Sequence, residues 1–365
     1  MTLFGKNKFY SLKSILSKNC QYNLIIGERS NGKTYSVLKY GLEKYIENGE
    51  QMSYVRRWAE DFKGKRGSVL FDGLVKNNEI EKMTNGEYNA VYYYSSRWYL
   101  CRIEDGERIK TDENPFCYGF SIASAEHDKS TSFPNITTIC FDEFLTRKYY
   151  LPDEFIHFMN LLSTIIRQRN NVKIFMLGNT VNTFSPYFSE MGITHIKKMK
   201  QGDIDIYTYG DSKLKLAIEL CKHNKEGKES DLYFAFDNPK LSMITGGYWE
   251  MEIYPHLTCK YTPKEVYFTY YIEFGEELLT CEVIVKNDMC FTFIHPKTTP
   301  LQLKNDDFIY STNNYFLPQW KKNILQPRTK TDKLLLEFFI RGRVYYSDNS
   351  TGEIVRNYLN WCKQN

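Results

Sequence analysis

The segment YNLIIGERSNGKT, Tyr22 to Thr34, joins a short apolar run to the spacing Gly-x-x-x-x-Gly-Lys-Thr. Two glycines in that spacing let the backbone curl so that its N–H groups point at phosphate oxygens. The lysine then reaches the β- and γ-phosphates, and the threonine hydroxyl contacts Mg²⁺. A glycine-rich turn that only caps a helix would not need the lysine. The motif therefore predicts a nucleoside triphosphate site made of Gly27, Glu28, Arg29, Ser30, Asn31, Gly32, Lys33 and Thr34.

The pattern around this loop predicts an α/β fold for the first half of the chain. From Tyr22 to Asn179, short apolar strands alternate with helix-like segments, which is typical of a largely parallel sheet. The predicted strands are YNLIIG, QMSYVRR, ITTICFD and VKIFMLGN, and the predicted helices are TYSVLKYGLEKYIENG and PDEFIHFMNLLSTIIRQRN. The run NAVYYYSSRWYLCRIEDGERIK predicts a β-hairpin at the edge of this sheet.

The length of 365 residues leaves room for two domains, each with its own core. The polar run KHNKEGKESD indicates a solvated loop or linker between them. Beyond it, the strands VYFTYYIEF, LLTCEVIV and MCFTFIH precede a helical end, RNYLNWCKQ, and predict a smaller α+β domain. The predicted divisions are 1–212 for the P-loop domain, 213–255 for the linker region and 256–365 for the second domain.

The composition is that of a globular protein, with 42% apolar and 25% charged residues and no apolar run long enough to cross a membrane. The N-terminus has no continuous apolar segment, so we expect no signal peptide and a cytosolic protein. Nine dispersed cysteines without a C-x-x-C pair favour reduced thiols over a zinc site. A net charge of +4 permits contact with a polyanion without requiring it. We interpret the 29 tyrosines as ordinary core and strand aromatics, with base stacking as the alternative.

The strand TTICFDEF ends in two carboxylates, Asp142 and Glu143. In a P-loop protein, the first is expected to complete the Mg²⁺ shell with Thr34, and the second to orient or deprotonate a water. Solvated charges at a strand end are the alternative. The acidic pair favours hydrolysis over phosphoryl transfer to a small molecule, and it predicts a P-loop NTPase of the ASCE type.

Asn179 and several arginines complete the candidate site. Asn179 ends the strand VKIFMLGN and is expected to sense the γ-phosphate, although asparagine is also a routine turn residue. Arg167 or Arg169 would supply an arginine finger to a neighbouring subunit, or else only contact the helix C-terminal dipole or solvent. Arg29 would instead act within its own subunit. Arg56, with Arg57 beside it, is expected to reach the nucleotide, and KGKR at 63–66 is a basic cluster available to DNA phosphates.

Several stretches together resemble the DNA-packaging ATPases of small podophages that encapsidate a short linear double-stranded genome. They are GERSNGKTY, GEQMSYVRR, DKSTSFPNITTICFDEF, and GNT followed by SPYF, and they span roughly residues 22–188. The last third resembles that family only in length and coarse pattern.

The resemblance implies a homo-oligomeric ring, a pentamer in that family, which docks on the portal vertex of an empty capsid and drives double-stranded DNA inward with ATP and Mg²⁺. A structural RNA is a further candidate partner. The expected location is the cytoplasm of the infected bacterial host, transiently on the procapsid, and no membrane is involved. By the family pattern, Arg167 is the finger acting in trans, Arg29 is the loop arginine, and Lys129 also acts from the adjacent subunit.

The resemblance also implies that the second domain has an RNase H-like fold, expected to be inactive as a nuclease. Glu273 lies where an active nuclease would hold a metal carboxylate, and Asp306, Asp307, Asp348 and Glu353 are candidates to complete the set; we favour surface charges. Two other hypotheses stay open at this point. One is a terminase-like nuclease with an accessory ATPase, and the other is a nucleotide-gated module that binds DNA or RNA without turnover.

Overall fold

A computed structural model of the chain describes residues 10–124, 131–147, 150–210, 213–222, 249, 252–303 and 307–364. The chain divides into two compact units, Met1–Glu250 and Met251–Asn365. None of the helices in these described ranges is both long enough and apolar enough to cross a membrane.

The first unit is built on a ten-stranded mixed sheet. Its strands are β1 (Tyr22–Gly27), β2 (Gln51–Arg56), β3 (Ala90–Tyr94), β4 (Arg97–Glu104), β5 (Glu107–Thr111), β6 (Cys117–Ser121), β7 (Ile136–Asp142), β8 (Lys173–Asn179), β9 (Ile204–Tyr209) and β10 (Leu214–Leu220). Their order is β3-β4-β6-β2-β7-β8-β1-β10-β9, with β5 paired to β4. The six strands from β6 to β10 in this order are parallel, which confirms the predicted parallel-rich sheet.

The helices of this unit are α1 (Lys13–Leu16), α2 (Lys33–Asn48), α3 (Lys65–Ser68), α4 (Asp72–Lys76), α5 (Glu79–Met83), α6 (Glu154–Ile166) and α7 (Pro186–Glu190). The two long helices cover opposite faces of the sheet. Leu24 of β1 belongs to the same buried cluster as Phe158 of α6. The next residue, Ile25, belongs to a second cluster with Leu38 of α2. Successive residues of a strand point to opposite faces, so a strand covered on both sides is apolar throughout.

The predicted edge hairpin is confirmed, because β3 and β5 each pair antiparallel with β4. Two features of the first unit differ from the sequence analysis. Residues 214–220, assigned there to the linker, form β10, which pairs in parallel with β1. The segment between β2 and β3 also contains three short helices, α3 to α5, which were not predicted. Each has only four or five residues, too few for a helical periodicity to show.

The second unit has a six-stranded sheet in the order β15-β14-β11-β12-β13-β16. Its elements are β11 (Val266–Phe274), β12 (Glu277–Lys286), β13 (Met289–Pro296), β14 (Phe308–Ser311), β15 (Trp320–Lys321), α8 (Lys330–Ile340), β16 (Val344–Tyr346) and α9 (Asn349–Gln364). Strands β11 to β13 form an antiparallel meander, and β14 is parallel to β11. Strand β16 follows α8, so helices do not all come last as the sequence pattern suggested.

Candidate functional site

Three parallel strands end side by side at one edge of the first sheet. Pairing of β8 with β1 aligns Asn179 with Gly27, and pairing with β7 aligns Leu177 with Asp142. The phosphate-binding loop, the acidic pair and Asn179 therefore share one sheet edge, as the sequence analysis predicted. Ligands of open parallel sheets bind at this carboxyl edge.

Both glycines of the loop are required by its geometry. A Cβ at Gly27 would lie 2.8 Å from Cys221 Cβ and 2.9 Å from Asn31 Nδ2, so no larger residue fits there. Gly32 has a φ of 90°, in the left-handed region that favours glycine, and α2 begins at the next residue. The N-terminus of this 16-residue helix therefore opens onto the loop, where its free N–H groups attract an anion.

The ammonium of Lys33 is buried and surrounded by oxygens. It donates to the Glu28 carbonyl at 2.6 Å and the Gly27 carbonyl at 3.2 Å. It also donates to Oδ1 of Asn31 at 3.1 Å and of Asn179 at 3.3 Å. Burial lowers the pKa of Lys33, while the negative charge of Asp142 acts in the opposite direction. Lys33 and Asn179 are thus in direct contact, which links the loop to the end of β8.

Asp142 and Thr34, the two predicted metal ligands, are in direct contact. The Thr34 hydroxyl donates to Asp142 Oδ2 at 2.9 Å, and the Tyr54 hydroxyl donates to the same oxygen at 2.9 Å. Burial raises the pKa of Asp142, and the nearby Arg56 charge and the two hydroxyl donors partly offset that rise. A hydroxyl and a carboxylate in contact beside a phosphate-binding loop are oxygen ligands suited to Mg²⁺. Tyr54 was missed by the sequence analysis; it lies two residues before Arg56 in the buried interior of β2.

Glu143 lies on a turn with a φ of 58°. Its side chain is 56% exposed, and Arg56 Nη2 donates to its Oε2 at 2.7 Å. Nε of the same arginine donates to Asp61 Oδ2 at 3.1 Å. Arg56 therefore contacts the candidate base, whereas the sequence analysis expected it to contact the nucleotide. Arg56 is not among the residues that line the cavity described next.

A cavity of about 650 Å³ opens between the loop and the acidic pair. Its walls include Lys33, Asp142, Glu143 and Asn179, and the exposed Arg29 from the loop. Arg147 also lines the cavity, and the sequence analysis did not single it out. An arginine five residues after Asp142, in the connection between a strand and a helix, was the available signal. The cavity thus combines carboxylates with three cationic side chains, as a Mg²⁺–triphosphate requires.

A buried ion pair fixes the backbone of this acidic turn. Arg57 forms a bidentate pair with Glu154, at 2.7 Å from Nε to Oε2 and 2.9 Å from Nη2 to Oε1. The same guanidinium donates to the Phe144 carbonyl at 2.9 Å and to the Glu143 carbonyl at 3.3 Å. Glu154 is fully buried, and it also accepts from the Tyr187 hydroxyl at 2.8 Å. Arg57 therefore links the acidic turn to the first residue of α6, and it does not line the cavity.

The two candidate finger arginines have different surroundings at the other end of α6. Arg169 donates to five backbone carbonyls, of Phe133, Pro134, Ile136, Ile165 and Ile166. Arg167 is exposed, and its Nη2 donates to the Thr131 carbonyl at 3.1 Å. Both contact the segment that leads into β7, so they lie at the amino edge of the sheet, opposite the cavity. Lys129 lies outside the described residues.

The candidate nuclease carboxylates of the second unit do not gather in the described part of the chain, where no three or more His, Cys, Asp or Glu side chains are placed to hold a metal. Glu273 accepts hydrogen bonds from Ser311, Asn313 and Tyr315. Asp348 caps α9 through the Thr351 backbone N–H at 2.8 Å. Asp306 lies outside the described residues.

The family described as "Podovirus DNA encapsidation protein (Gp16)" matches residues 4–96 and 101–209. The DNA packaging proteins of Bacillus phages phi29 and PZA are each 28% identical to the chain over 186 residues, which are 50% of this chain and 50% of theirs. That of Bacillus phage B103 is 29% identical over 182 residues, 49% of this chain and 50% of the relative. The chain spans about half the length of these curated relatives.

Two solved structures resemble the chain over nearly its whole length. "The bacteriophage Phi-29 viral genome packaging motor assembly" is 20% identical, covers 98% of this chain and 100% of its own, and has a TM-score of 0.56. "The Phi-28 gp11 DNA packaging Motor" is 18% identical, covers 98% and 99%, and has a TM-score of 0.53. At these identities the likeness shows the fold alone.

Because Arg57 and Glu154 form a buried ion pair, we expect Arg57→Ala to lose much of its folding stability. Removal of the guanidinium leaves the Glu154 carboxylate buried without its cation, which we expect to lower the free energy of unfolding by about 3 to 5 kcal/mol. Urea denaturation followed by circular dichroism measures it. Arg66→Ala removes an exposed arginine of the same unit and should change stability by less than about 0.5 kcal/mol. Equal stabilities of the two variants would contradict the assigned role of Arg57.

We expect the buried charge of Asp142 to lower folding stability while it favours Mg²⁺ binding. Its pKa is raised in the folded chain, so the charged carboxylate at neutral pH costs stability, and this cost disappears as pH falls through the raised pKa. Asp142→Asn should therefore resist urea better than the parent at pH 7.5, by a margin that shrinks as the pH is lowered through the raised pKa, while Mg²⁺-dependent ATP binding weakens. Asp72→Asn, at an aspartate whose side chain is 49% exposed, is the matched control. A variant less stable than the parent at pH 7.5 would refute the assignment.

Proposed function

We propose that this chain, which belongs to the podovirus DNA encapsidation protein (Gp16) family, is the ATP-hydrolysing subunit of a motor that moves double-stranded DNA into an empty capsid. The observation that carries the proposal is the convergence of Lys33, the Thr34–Asp142 pair and Glu143 on one cavity. The relatives described as DNA packaging proteins, and a packaging motor assembly that shares the fold, support DNA packaging as the process that ATP hydrolysis drives.

Each polar group of the cavity has a role in binding and hydrolysing ATP. The loop N–H groups and Lys33 bind the phosphates, and Asn179 lies where it can report loss of the γ-phosphate through its contact with Lys33. Thr34 and Asp142 would hold Mg²⁺, which when bound neutralises charge that develops on the phosphate oxygens. Tyr54 orients Asp142 through its hydroxyl hydrogen bond. Arg29 stabilises negative charge from within the same subunit, as the nearby Arg147 also does.

Glu143 is the base that activates water. Its carboxylate is paired with Arg56, which is itself held by Asp61 in the short helical turn Ala59–Phe62. A carboxylate held by a guanidinium is less able to accept a proton, so rotation of Glu143 away from Arg56 precedes hydrolysis. The segment that follows β2 therefore controls when water is activated.

Arg167 acts on a neighbouring subunit. Strand β7 has seven residues, and at about 3.3 Å per residue it separates its two ends by roughly 20 Å. Asp142 lies at one end, and the segment contacted by Arg167 precedes the other. Arg167 therefore cannot reach the ATP bound by its own subunit, and a closed ring would place it at the next one. Arg169 is committed to backbone carbonyls, which favours Arg167 as the finger.

The proposed partners are double-stranded DNA, the capsid portal vertex and a structural RNA. The proposed active form is a homo-oligomeric ring, a pentamer. The site of action is the procapsid in the cytoplasm of an infected bacterium. We also propose that the second unit is an RNase H-like domain without nuclease activity. Its strand order β13-β12-β11-β14-β15, three antiparallel strands followed by strands parallel to the first, supports that fold.

Glu143→Gln tests the hydrolysis mechanism. The amide keeps the shape of the side chain but cannot accept a proton from water, so ATP hydrolysis should fall by at least about 10²-fold. ATP binding, measured with a fluorescent analogue, should survive because Lys33, Thr34 and Asp142 are unchanged. Hydrolysis is measured with double-stranded DNA and empty capsids present and absent. Normal turnover by Glu143→Gln would show that the assigned base is wrong.

Mixing of subunits tests the finger. Arg167→Ala alone should lower hydrolysis by about 10³-fold or more in assembled rings without lowering thermal stability. Rings that mix Arg167→Ala with Glu143→Gln subunits should regain activity, because some interfaces combine an intact Glu143 with an intact Arg167.

Arg169→Ala is the control for the same helix end. It removes the five carbonyl contacts and should lower the melting temperature instead. If fully assembled mixed rings show no recovery, Arg167 does not act across subunits.

A further inference from the structure

The hairpin at the sheet edge has one buried face and one tyrosine-rich face. On the buried side, Trp98 is fully buried, its indole N–H donates to the Gly67 carbonyl at 2.9 Å, and Leu100 packs in the same cluster. Residues that alternate with these lie on the opposite face. We call that face the tyrosine face, and it comprises Tyr92, Tyr94, Arg97, Tyr99 and Arg108.

Strand register places these five residues together. Tyr92 pairs with Tyr99, and Tyr94 pairs with Arg97, across β3 and β4. Arg108 of β5 pairs with Ile103 of β4, which lies on the same side of the strand as Tyr99. Because Trp98 anchors the hairpin from behind, the tyrosine face is held on a rigid sheet. Such a surface loses little conformational entropy when it binds a ligand.

The rings are arranged as a stacking platform. The ring planes of Tyr92 and Tyr94 are 8° from parallel, with centroids 6.4 Å apart, and Tyr94 is 64% exposed. Tyr99 packs against Tyr92 at 6.2 Å. The guanidinium of Arg108 lies 3.6 Å from the centroid of the Tyr92 ring. Residues two apart on a strand repeat at about 6.6 Å, close to twice the roughly 3.4 Å step between stacked bases.

The charge of this face is positive. Its other cross-strand-paired positions hold Ala90, Cys101, Ile103 and Thr111, so none of the paired positions on this face carries a carboxylate. Glu104 and Glu107 pair with each other beside the turn and lie on the opposite face, and Asp105 lies in the turn itself. Aromatic rings interleaved with arginines, with no carboxylate at the paired positions of the same face, suit a strand that carries both bases and phosphates.

We propose that the tyrosine face binds a single DNA strand through unpaired bases, which stack on Tyr92 and Tyr94 while Arg97 and Arg108 contact its phosphates. Duplex DNA cannot use this surface in the same way, because its bases are already paired and stacked within the helix. The inference that bases stack on this face depends only on the positions of its rings and guanidinium groups. The choice of DNA as the polymer rests on the proposed packaging function.

The test is a binding titration of the full chain with fluorescein-labelled (dT)20, a blunt 20-base-pair duplex and (rU)20, followed by fluorescence anisotropy. Removal of stacking in Tyr94→Ala should weaken (dT)20 binding about tenfold, and Tyr92→Ala/Tyr94→Ala should weaken it further. Tyr94→Phe keeps the ring and should bind like the parent. The control Tyr267→Ala removes another tyrosine, 74% exposed in the second unit, and should have no effect.

Arg97→Gln/Arg108→Gln should weaken binding and reduce its salt dependence, since each lost phosphate contact lowers the slope of log K against log salt by about 0.7 for a single strand. Melting temperature and ATP hydrolysis are measured on every variant. The exposed Tyr94→Ala is used alone if the double variant unfolds.

Three outcomes would overturn the proposal. They are (dT)20 binding that Tyr94→Ala leaves unchanged, equal weakening of duplex and (dT)20 binding, and tighter binding of (rU)20 than of (dT)20. The last would assign the face to RNA. Failure of the proposed function is seen separately, as ATP hydrolysis that persists in Glu143→Gln, and it would leave the stacking result intact.

Discussion

The parallel pairing of β8 between β1 and β7 is the constraint on which the site depends. A one-residue shift in either register would turn every side chain of the shifted strand to the opposite face of the sheet. It would separate Asn179 from Gly27 and Asp142 from Thr34, which are far apart in sequence. The cores on both faces fix that register, because the three strands bury apolar side chains under α2 on one face and under α6 on the other. Packing in the two cores therefore fixes the positions of the loop, Asp142 and Asn179 relative to one another.

Helix α6 connects the turn at Glu143 with Arg167 at the opposite edge of the sheet. Its first residue, Glu154, is bound to Arg57, which also holds the carbonyls of the turn at Glu143. Its last turn leads into Arg167 at the opposite edge of the sheet. At 1.5 Å per residue, 13 residues span about 20 Å, close to the length of β7. Helix α6 therefore joins the acidic turn at one edge of the sheet to Arg167 at the other edge without an intervening loop.

The first unit buries charged side chains at two places, and the effect on folding stability differs between them. The Arg57–Glu154 pair is fully hydrogen-bonded, so it specifies the position of the turn even though its net contribution to stability is small compared with the cost of breaking it. Asp142 is buried beside hydroxyl donors, and its negative charge is stabilised only in part. A divalent cation bound beside Asp142, as proposed above, would relieve that unfavourable charge.

The sequence by itself determined the loop, the parallel-rich sheet, the acidic pair at a strand end and the presence of Asn179 at the same edge. Glycine spacing and apolar runs are local signals, and the ends of parallel strands must share an edge. The tertiary structure decided the rest. Arg56 pairs with Glu143, Arg57 with Glu154, and Arg169 with five carbonyls, and no local spacing distinguishes these three arginines from ones that reach a nucleotide. Residues 214–220 become a strand of the sheet, between β1 and β9, only because β1 has an open edge to pair with, and the hairpin tyrosines form one face only because Trp98 is buried on the other. Each depends on contacts between residues distant in sequence, and the free energy of those contacts, unlike that of a turn or a cap, is not encoded in any single segment.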